Sequence, residues 1–217
     1  MRVFIALLGA LLLTSCQASD PLSGKNDPKD PWWEMGFTQP YYMKVWVEDT
    51  AVEDINGQLF KHTGRGSAAD GDPGLKKEWA RGWSGVGGNG KSVVGADLPK
   101  RIFVRWQSVV EPQTYRAWVD IPEEARKIMF TSTHRRCPET PHQTARYMAS
   151  VYLGLAPGGI VQIWVRDECR NTIKVARAQA EIEPLGPHLG KSNGHYYPLS
   201  ENSKRYIEKY GIPYGSW

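Results

Sequence analysis

One stretch of the 217-residue sequence matches a phosphate-binding loop letter for letter: Gly85-Val86-Gly87-Gly88-Asn89-Gly90-Lys91-Ser92 fits GxxxxGKS. That chemistry needs a strand before the loop and a helix after it, because the helix N-terminus faces the phosphates. Here Trp79–Ser84 is polar and glycine-containing, and Val93–Arg101 carries Gly95 and Pro99, so no long helix can follow. We read a glycine-rich loop, with no nucleotide and no cofactor. Asp70-Gly71-Asp72-Pro73-Gly74 faintly resembles a calcium loop but lacks a third oxygen ligand and the distant bidentate Glu, which leaves a solvated turn. His62, His134, His142, His188 and His195 show no metal-ligand spacing, and no GxSxG elbow occurs. Glu123 and Glu124 are adjacent, as helix-start residues are. We therefore expect no catalytic residue, no metal site and no enzyme activity.

The three cysteines carry more information. Arg2 followed by the apolar run Val3–Leu13 has the layout of a secretory signal. The run is too short to span a bilayer, which takes roughly 20 residues. It ends in Leu13-Thr14-Ser15-Cys16, which resembles a lipobox: an aliphatic residue, two small ones, and the thiol that receives the lipid. This predicts a signal peptide over 1–15 and lipidation of Cys16. A triacylated cysteine holds a protein stably, so the lipid is the only membrane attachment expected. Gln17 in place of Asp favours the outer membrane, facing the periplasm. Residues 16–31, with Pro21, Pro28 and Pro31, read as a flexible tether that could reach roughly 50 Å. Residues 32–217 read as one globular domain. In an oxidising compartment Cys137 and Cys169 are natural disulfide partners, the alternative being two separate thiols. Neither has a second ligand close by for zinc.

Trp79, Arg81 and Trp83 lie as W-x-R-x-W in a glycine-rich stretch, Lys61–Gly95, that holds ten of the 22 glycines. Trp and Arg are the side chains that anchor protein interfaces. The two rings could equally fold back and plug the core beneath a long loop.

The elements that must hold these residues are mostly strands. Tyr41–Val47 alternates, and Asn56-Gly57 marks a hairpin between Val52–Ile55 and Gln58–His62. Ile102, Val104 and Trp106 face one way, and Arg101, Phe103 and Arg105 the other. Glu111-Pro112-Gln113 turns into a second strand, Thr114–Ile121. Pro122 opens a central helix at its N1 position with Ala125, Ile128 and Met129 as the apolar stripe. Ala149–Leu155 and Ile160–Val165 flank Ala156-Pro157-Gly158-Gly159 as a hairpin, and Thr172–Ile182 reads as a further strand. Ser200 caps a C-terminal helix with Tyr206, Ile207 and Tyr210 on its inner face, ended by Gly211. The fold class is α+β, a mainly antiparallel, sandwich-like β-sheet structure with one central and one C-terminal helix. A parallel α/β fold would need alternating helices that are missing.

With 27 basic and 23 acidic side chains, the formal net charge is +4, mixed in sign, which does not describe a nucleic-acid binder. Nine Trp and ten Tyr exclude wholesale disorder. The segments VWVEDTAVEDING (45–57), GADLPKRIFVRWQSVVEPQTYRAWVDIPEEAR (95–126), ASVYLGLAPGGIVQIWV (149–165) and IPYGSW (212–217) resemble an uncharacterised family of Gram-negative lipoproteins, a domain of unknown function. Members of this and related families are associated with type VI secretion spike proteins and lipase effectors. The resemblance implies a periplasmic immunity protein that binds a phospholipase effector; the residue types make the Trp79–Trp83 region its expected contact surface. The alternative is a structural or assembly lipoprotein of the envelope without a toxin partner.

Overall fold

The computed structural model describes residues 20–28, 33–69, 73–87, 90–145, 149–167, 169 and 171–217. Eleven strands form two sheets. The six-stranded sheet contains β2 (Val45–Asp54), β3 (Leu59–Lys61), β4 (Gly66–Ser67), β6 (Pro99–Ser108), β7 (Gln113–Asp120) and β11 (Glu181–Ile182). Its order is β11-β7-β6-β2-β3, with β4 also paired to β2, and every pairing is antiparallel. The five-stranded sheet runs β10 (Thr172–Gln179), β9 (Ile160–Arg166), β8 (Ala149–Ala156), β1 (Trp33–Thr38) and β5 (Lys91–Ser92). One pairing is parallel, β1 with β8, in register from Trp33/Ala149 to Thr38/Gly154.

The expected α+β sandwich is therefore the fold, and alternation explains most of it. Ile102, Val104 and Trp106 of β6 are fully buried, as are Val151, Leu153 and Leu155 of β8 and Val161, Ile163 and Val165 of β9. These inward faces meet as one core, joined by Trp33, Met35 and Phe37 of β1. The Asn56-Gly57 hairpin forms with Gly57 at φ +78°, the left-handed conformation such turns need. Helix α1 (Glu123–Ser132) begins one residue after Pro122 and buries Ala125 and Met129. Helix α2 (Glu201–Tyr210) begins where expected, with the Ser200 hydroxyl accepting from Ser203 N.

Three local expectations change, and one strand is additional to them. Tyr41–Val47 is not one strand: Tyr41 and Tyr42 form a turn, Tyr42 sits at φ +62°, and β2 begins at Val45. Strand β1 is the addition, with Trp33, Met35 and Phe37 facing the core and Glu34, Gly36 and Thr38 alternating with them. Thr172–Ile182 divides at buried Ala180, where the chain leaves the five-stranded sheet as β10 and joins the six-stranded one as β11. Finally, residues 20–28 of the expected tether are docked. Ser23 bridges Arg135, Gly24 N donates to His134 O (2.9 Å), and Arg136 N donates to Leu22 O (2.7 Å). Asp27, 8% exposed, pairs with the Arg136 guanidinium (2.5 Å) and accepts from Ala145 N (2.6 Å).

The sandwich has two poles. At one lie the docked strap, α1 and the start of β8; at the other lie the β8–β9 turn, the end of β1, α2 and the C-terminal tail. The eight residues of β8 set them about 26 Å apart.

Candidate functional site

The strap pole holds the predicted cysteine pair. Cys137 and Cys169 form a disulfide with Cα atoms 5.3 Å apart, tying the segment after α1 to the β9–β10 connection. The sulfurs lie close to the Glu139 carboxylate, but a disulfide leaves neither thiolate to ligate a metal. Cys16 and Asp70-Gly71-Asp72 lie outside the described residues. Within the phosphate-loop pattern, Lys91–Ser92 is strand β5, paired with Glu34 and Met35, and a Cβ on Gly90 would run into the Glu34 carboxylate. A carboxylate packed against the loop and a strand after it are the opposite of what a phosphate needs.

The other pole is built of aromatic rings. Tyr42 and Tyr206 stack at 4.3 Å between centroids, Tyr210 packs beside them, and Met43, Ala80 and Val110 complete a second small core. This cluster grips the glycine-rich loop. Tyr206 Oη donates to Ala80 O (3.1 Å) and Tyr42 Oη to Lys77 O (3.2 Å). Arg205 Nε and Lys209 Nζ donate to the two Glu78 oxygens at 2.9 and 3.0 Å. Those two donors, Lys209 first, hold the Glu78 carboxyl below its ordinary pKa. Farther along, Tyr41 N donates to Gly82 O, Ser84 Oγ to Gln39 O (2.6 Å) and Thr38 Oγ1 to Gly85 O (2.6 Å).

The W-x-R-x-W residues part company on this loop. Trp83 lies on the outer face of the five-stranded sheet, edge-on to Trp164 at 5.0 Å. Gly154 makes room for it, since a Cβ there would come within 2.6 Å of the Trp83 ring. Trp79 points the other way and is 71% exposed, with exposed Lys76, Lys77 and Arg81 around it. The structure thus separates the pair: Trp83 folds back on the sheet, and Trp79 stands in solvent.

The tail extends this surface. Ser216 O lies against Gly82, where a Cβ would meet it at 3.1 Å. Tyr214, 60% exposed, donates its hydroxyl to Glu111 Oε1 (2.8 Å), which also accepts from Gly158 N (2.9 Å) and, more weakly, from Tyr115 Oη (3.4 Å). Burial and the Glu111 carboxylate push both tyrosines up to about 12, so both stay neutral donors at any ordinary pH. Sequence reasoning missed Tyr214 and Glu111. Their only signal was residue type, since 103 positions separate them. The Glu111 turn, the β8–β9 turn, the tail and the Trp79 loop thus form one surface. It offers aromatic area, cations and hydrogen-bond acceptors.

A third region, the outer face of the six-stranded sheet, holds a groove of about 590 Å³ between Phe103, Trp118, Leu185 and Leu189. Its cations are already engaged: Arg105 with Glu48 at 2.9 Å, and Arg116 with Glu183 at 3.4 Å.

The chain belongs to the family described as a protein of unknown function (DUF2931), whose family model matches residues 19–215. No curated protein and no solved structure matches the chain. The matched span takes in the docked strap, both poles and Tyr214.

Proposed function

From this membership in an uncharacterised family, we propose that the protein is a non-catalytic binding protein of the cell envelope. It is held to the periplasmic face of the outer membrane by lipid on Cys16, and its aromatic pole is the docking face. Following the resemblance to lipoproteins found with type VI secretion genes, its partner is a phospholipase effector, which makes it an immunity protein. The observation that supports a binding role is Trp79. A ring 71% exposed on a loop gripped from both ends is a pre-organised anchor, which loses little freedom on association. Arg81 supplies charge two residues along, and Tyr214 a second exposed ring on the same pole.

The test is co-expression in the periplasm with a lipase encoded next to this gene. Full-length protein should restore growth, Trp79→Ala with Arg81→Glu should abolish protection at equal protein level, and Cys16→Ala should shift the protein to the soluble fraction. Undiminished killing at full expression of the unaltered protein would sink the immunity reading and favour an assembly role in the envelope.

A further inference from the structure

A groove of about 480 Å³ opens at the strap pole, within the usual size of a small-ligand site. Three elements that are far apart in sequence build it: the strap contributes Leu22, α1 contributes Ile128, and β10 contributes Ile173. The disulfide holds its back wall, and Arg136–Asp27 pins the strap that forms its side. The lining is mainly apolar, so the groove suits a hydrocarbon chain.

Its polar groups are few and specific. Ser132 lines the groove and is only 4% exposed, yet its hydroxyl has no hydrogen-bond partner among the described residues. A buried hydroxyl without a partner is costly, and a turn of the Ser132 side chain towards an acceptor in the groove would relieve it. Lys127 and Arg135 stand at the rim. Among the described residues each pairs with an exposed carboxylate, Glu123 at 2.8 Å and Asp20 at 3.3 Å. Exposed pairs of this kind exchange partners at little cost. The lining carboxylate Asp167 is turned to Asn171, accepting from its N (2.7 Å) and Nδ2 (3.0 Å). An apolar channel, an orphan hydroxyl and two available cations describe a site for an acyl chain with an anionic head.

The strap says where that lipid comes from. The proposal rests on Cys16 being the lipidated residue. The docked segment begins at Asp20, so three residues, Gln17, Ala18 and Ser19, separate it from the attachment point, a span of at most about 14 Å. An expected reach of roughly 50 Å is thereby cut to about 14 Å, which brings this pole to the bilayer. We propose that the groove binds one acyl chain of an anionic membrane phospholipid, with its phosphate between Lys127 and Arg135 and an ester or phosphate oxygen accepting from Ser132. This second grip fixes the body on the membrane with the Trp79 pole facing away from it, towards a partner in the aqueous periplasm.

The experiment uses the full chain with Cys16→Ser, which has no lipid of its own. It is floated with vesicles of phosphatidylethanolamine and phosphatidylglycerol, and with phosphatidylcholine vesicles as the neutral comparison. Binding should favour the anionic vesicles. It should fall at least tenfold in Thr131→Trp, which fills the groove mouth, and in Lys127→Glu/Arg135→Glu, and stay unchanged in Trp79→Ala. Phosphatidylglycerol with a photoreactive acyl chain should label a peptide containing Ile128 or Ile173. Circular dichroism and an intact disulfide check that each variant is folded. No vesicle binding, binding indifferent to both groove variants, or labelling elsewhere overturns the proposal. So does binding of free oleate without vesicle binding, which would make the ligand a soluble fatty acid. The lipid-anchor reading fails separately, if palmitate labels neither the unaltered chain nor the Cys16→Ser variant, or labels both equally.

Discussion

The two poles solve the same problem, holding loops without regular structure, by different means. At the strap pole a disulfide and a buried ion pair do the work. Asp27 takes two hydrogen bonds from Arg136 and one from Ala145 N, and Cys137–Cys169 closes the chain around them. At the aromatic pole no covalent tie exists among the described residues. Stacked tyrosines, two phenolic hydroxyls and one carboxylate shared by Arg205 and Lys209 grip the loop backbone. The first arrangement is insensitive to what approaches it from solvent. The second leaves rings at the surface, Trp79 and Tyr214 above all. The aromatic pole thus exposes rings beside its packed core, while the pole stapled by a disulfide carries an open groove.

The sharpest way to break this contrast is to remove the keystone of each pole in turn. Tyr206 is buried, stacks on Tyr42 and donates to Ala80 O. Tyr206→Ala should cost about 3–5 kcal/mol, as buried aromatic truncations do, and expose the 73–85 loop to protease while leaving the strap protected. Urea unfolding and limited proteolysis read both. The next largest effect belongs to the other pole. Cys137→Ser with Cys169→Ser opens a 32-residue separation and should cost about 3–4 kcal/mol on the chain-entropy estimate. Here the protease-sensitive segment should be the strap, with the Trp79 loop intact. If either variant loosened both poles equally, they would not be separate structures.

A smaller effect tests the packing of Trp83. Gly154→Ala places a Cβ against both the Trp83 and Trp164 rings, and overpacking of this sort costs about 1–3 kcal/mol. The near-ultraviolet dichroism of the tryptophan pair should change with it. The strap pole has an acid signature instead. The Arg136 hydrogen bonds and the Ala145 N–H hold the Asp27 carboxyl down at about 2, from an ordinary 3.8. A group depressed in the folded state contributes stability that is complete above its unfolded pKa and lost as pH falls through the folded one. Strap protection against protease or hydrogen exchange should therefore hold down to about pH 4 and fade towards pH 2. Asp27→Asn should flatten that dependence.

The same contrast governs what could be read from the residues alone. Strand β6, the two hairpins and the Ser200 cap were legible, because alternation, turn chemistry and capping are local. Strand β1 alternates too, with Trp33, Met35 and Phe37 inward and Glu34, Gly36 and Thr38 between them, but six residues directly after a linker-like stretch make too short a run to stand out. The strap escaped notice because its composition is that of a linker, and a single carboxylate 109 residues from its arginine decides that it docks. The cysteine pair was visible because, with Cys16 set aside in the lipobox-like run, only two of the three cysteines remain to pair. On the aromatic pole, residue types flagged Trp79, Arg81 and Trp83, but a loop without periodicity gives no basis for choosing which ring points outwards. Tyr214 and Glu111 meet only after the whole chain has folded.

The smallest expected effect carries the functional reading furthest. Trp79 donates nothing to the second core, whose members are Tyr42, Met43, Ala80, Val110 and Tyr206 with their neighbours. Trp79→Ala should shift stability by less than about 0.5 kcal/mol, the range of surface changes away from packed features. If the exposed ring is an interface anchor, the same substitution should weaken partner binding by about 2 kcal/mol or more, some thirtyfold in the dissociation constant, measured by calorimetry against the neutralised effector. A loss of stability with no loss of binding would place Trp79 in the structure of the pole. The reverse pattern, with Tyr206→Ala weakening both, would show that the aromatic cluster is there to hold one ring out.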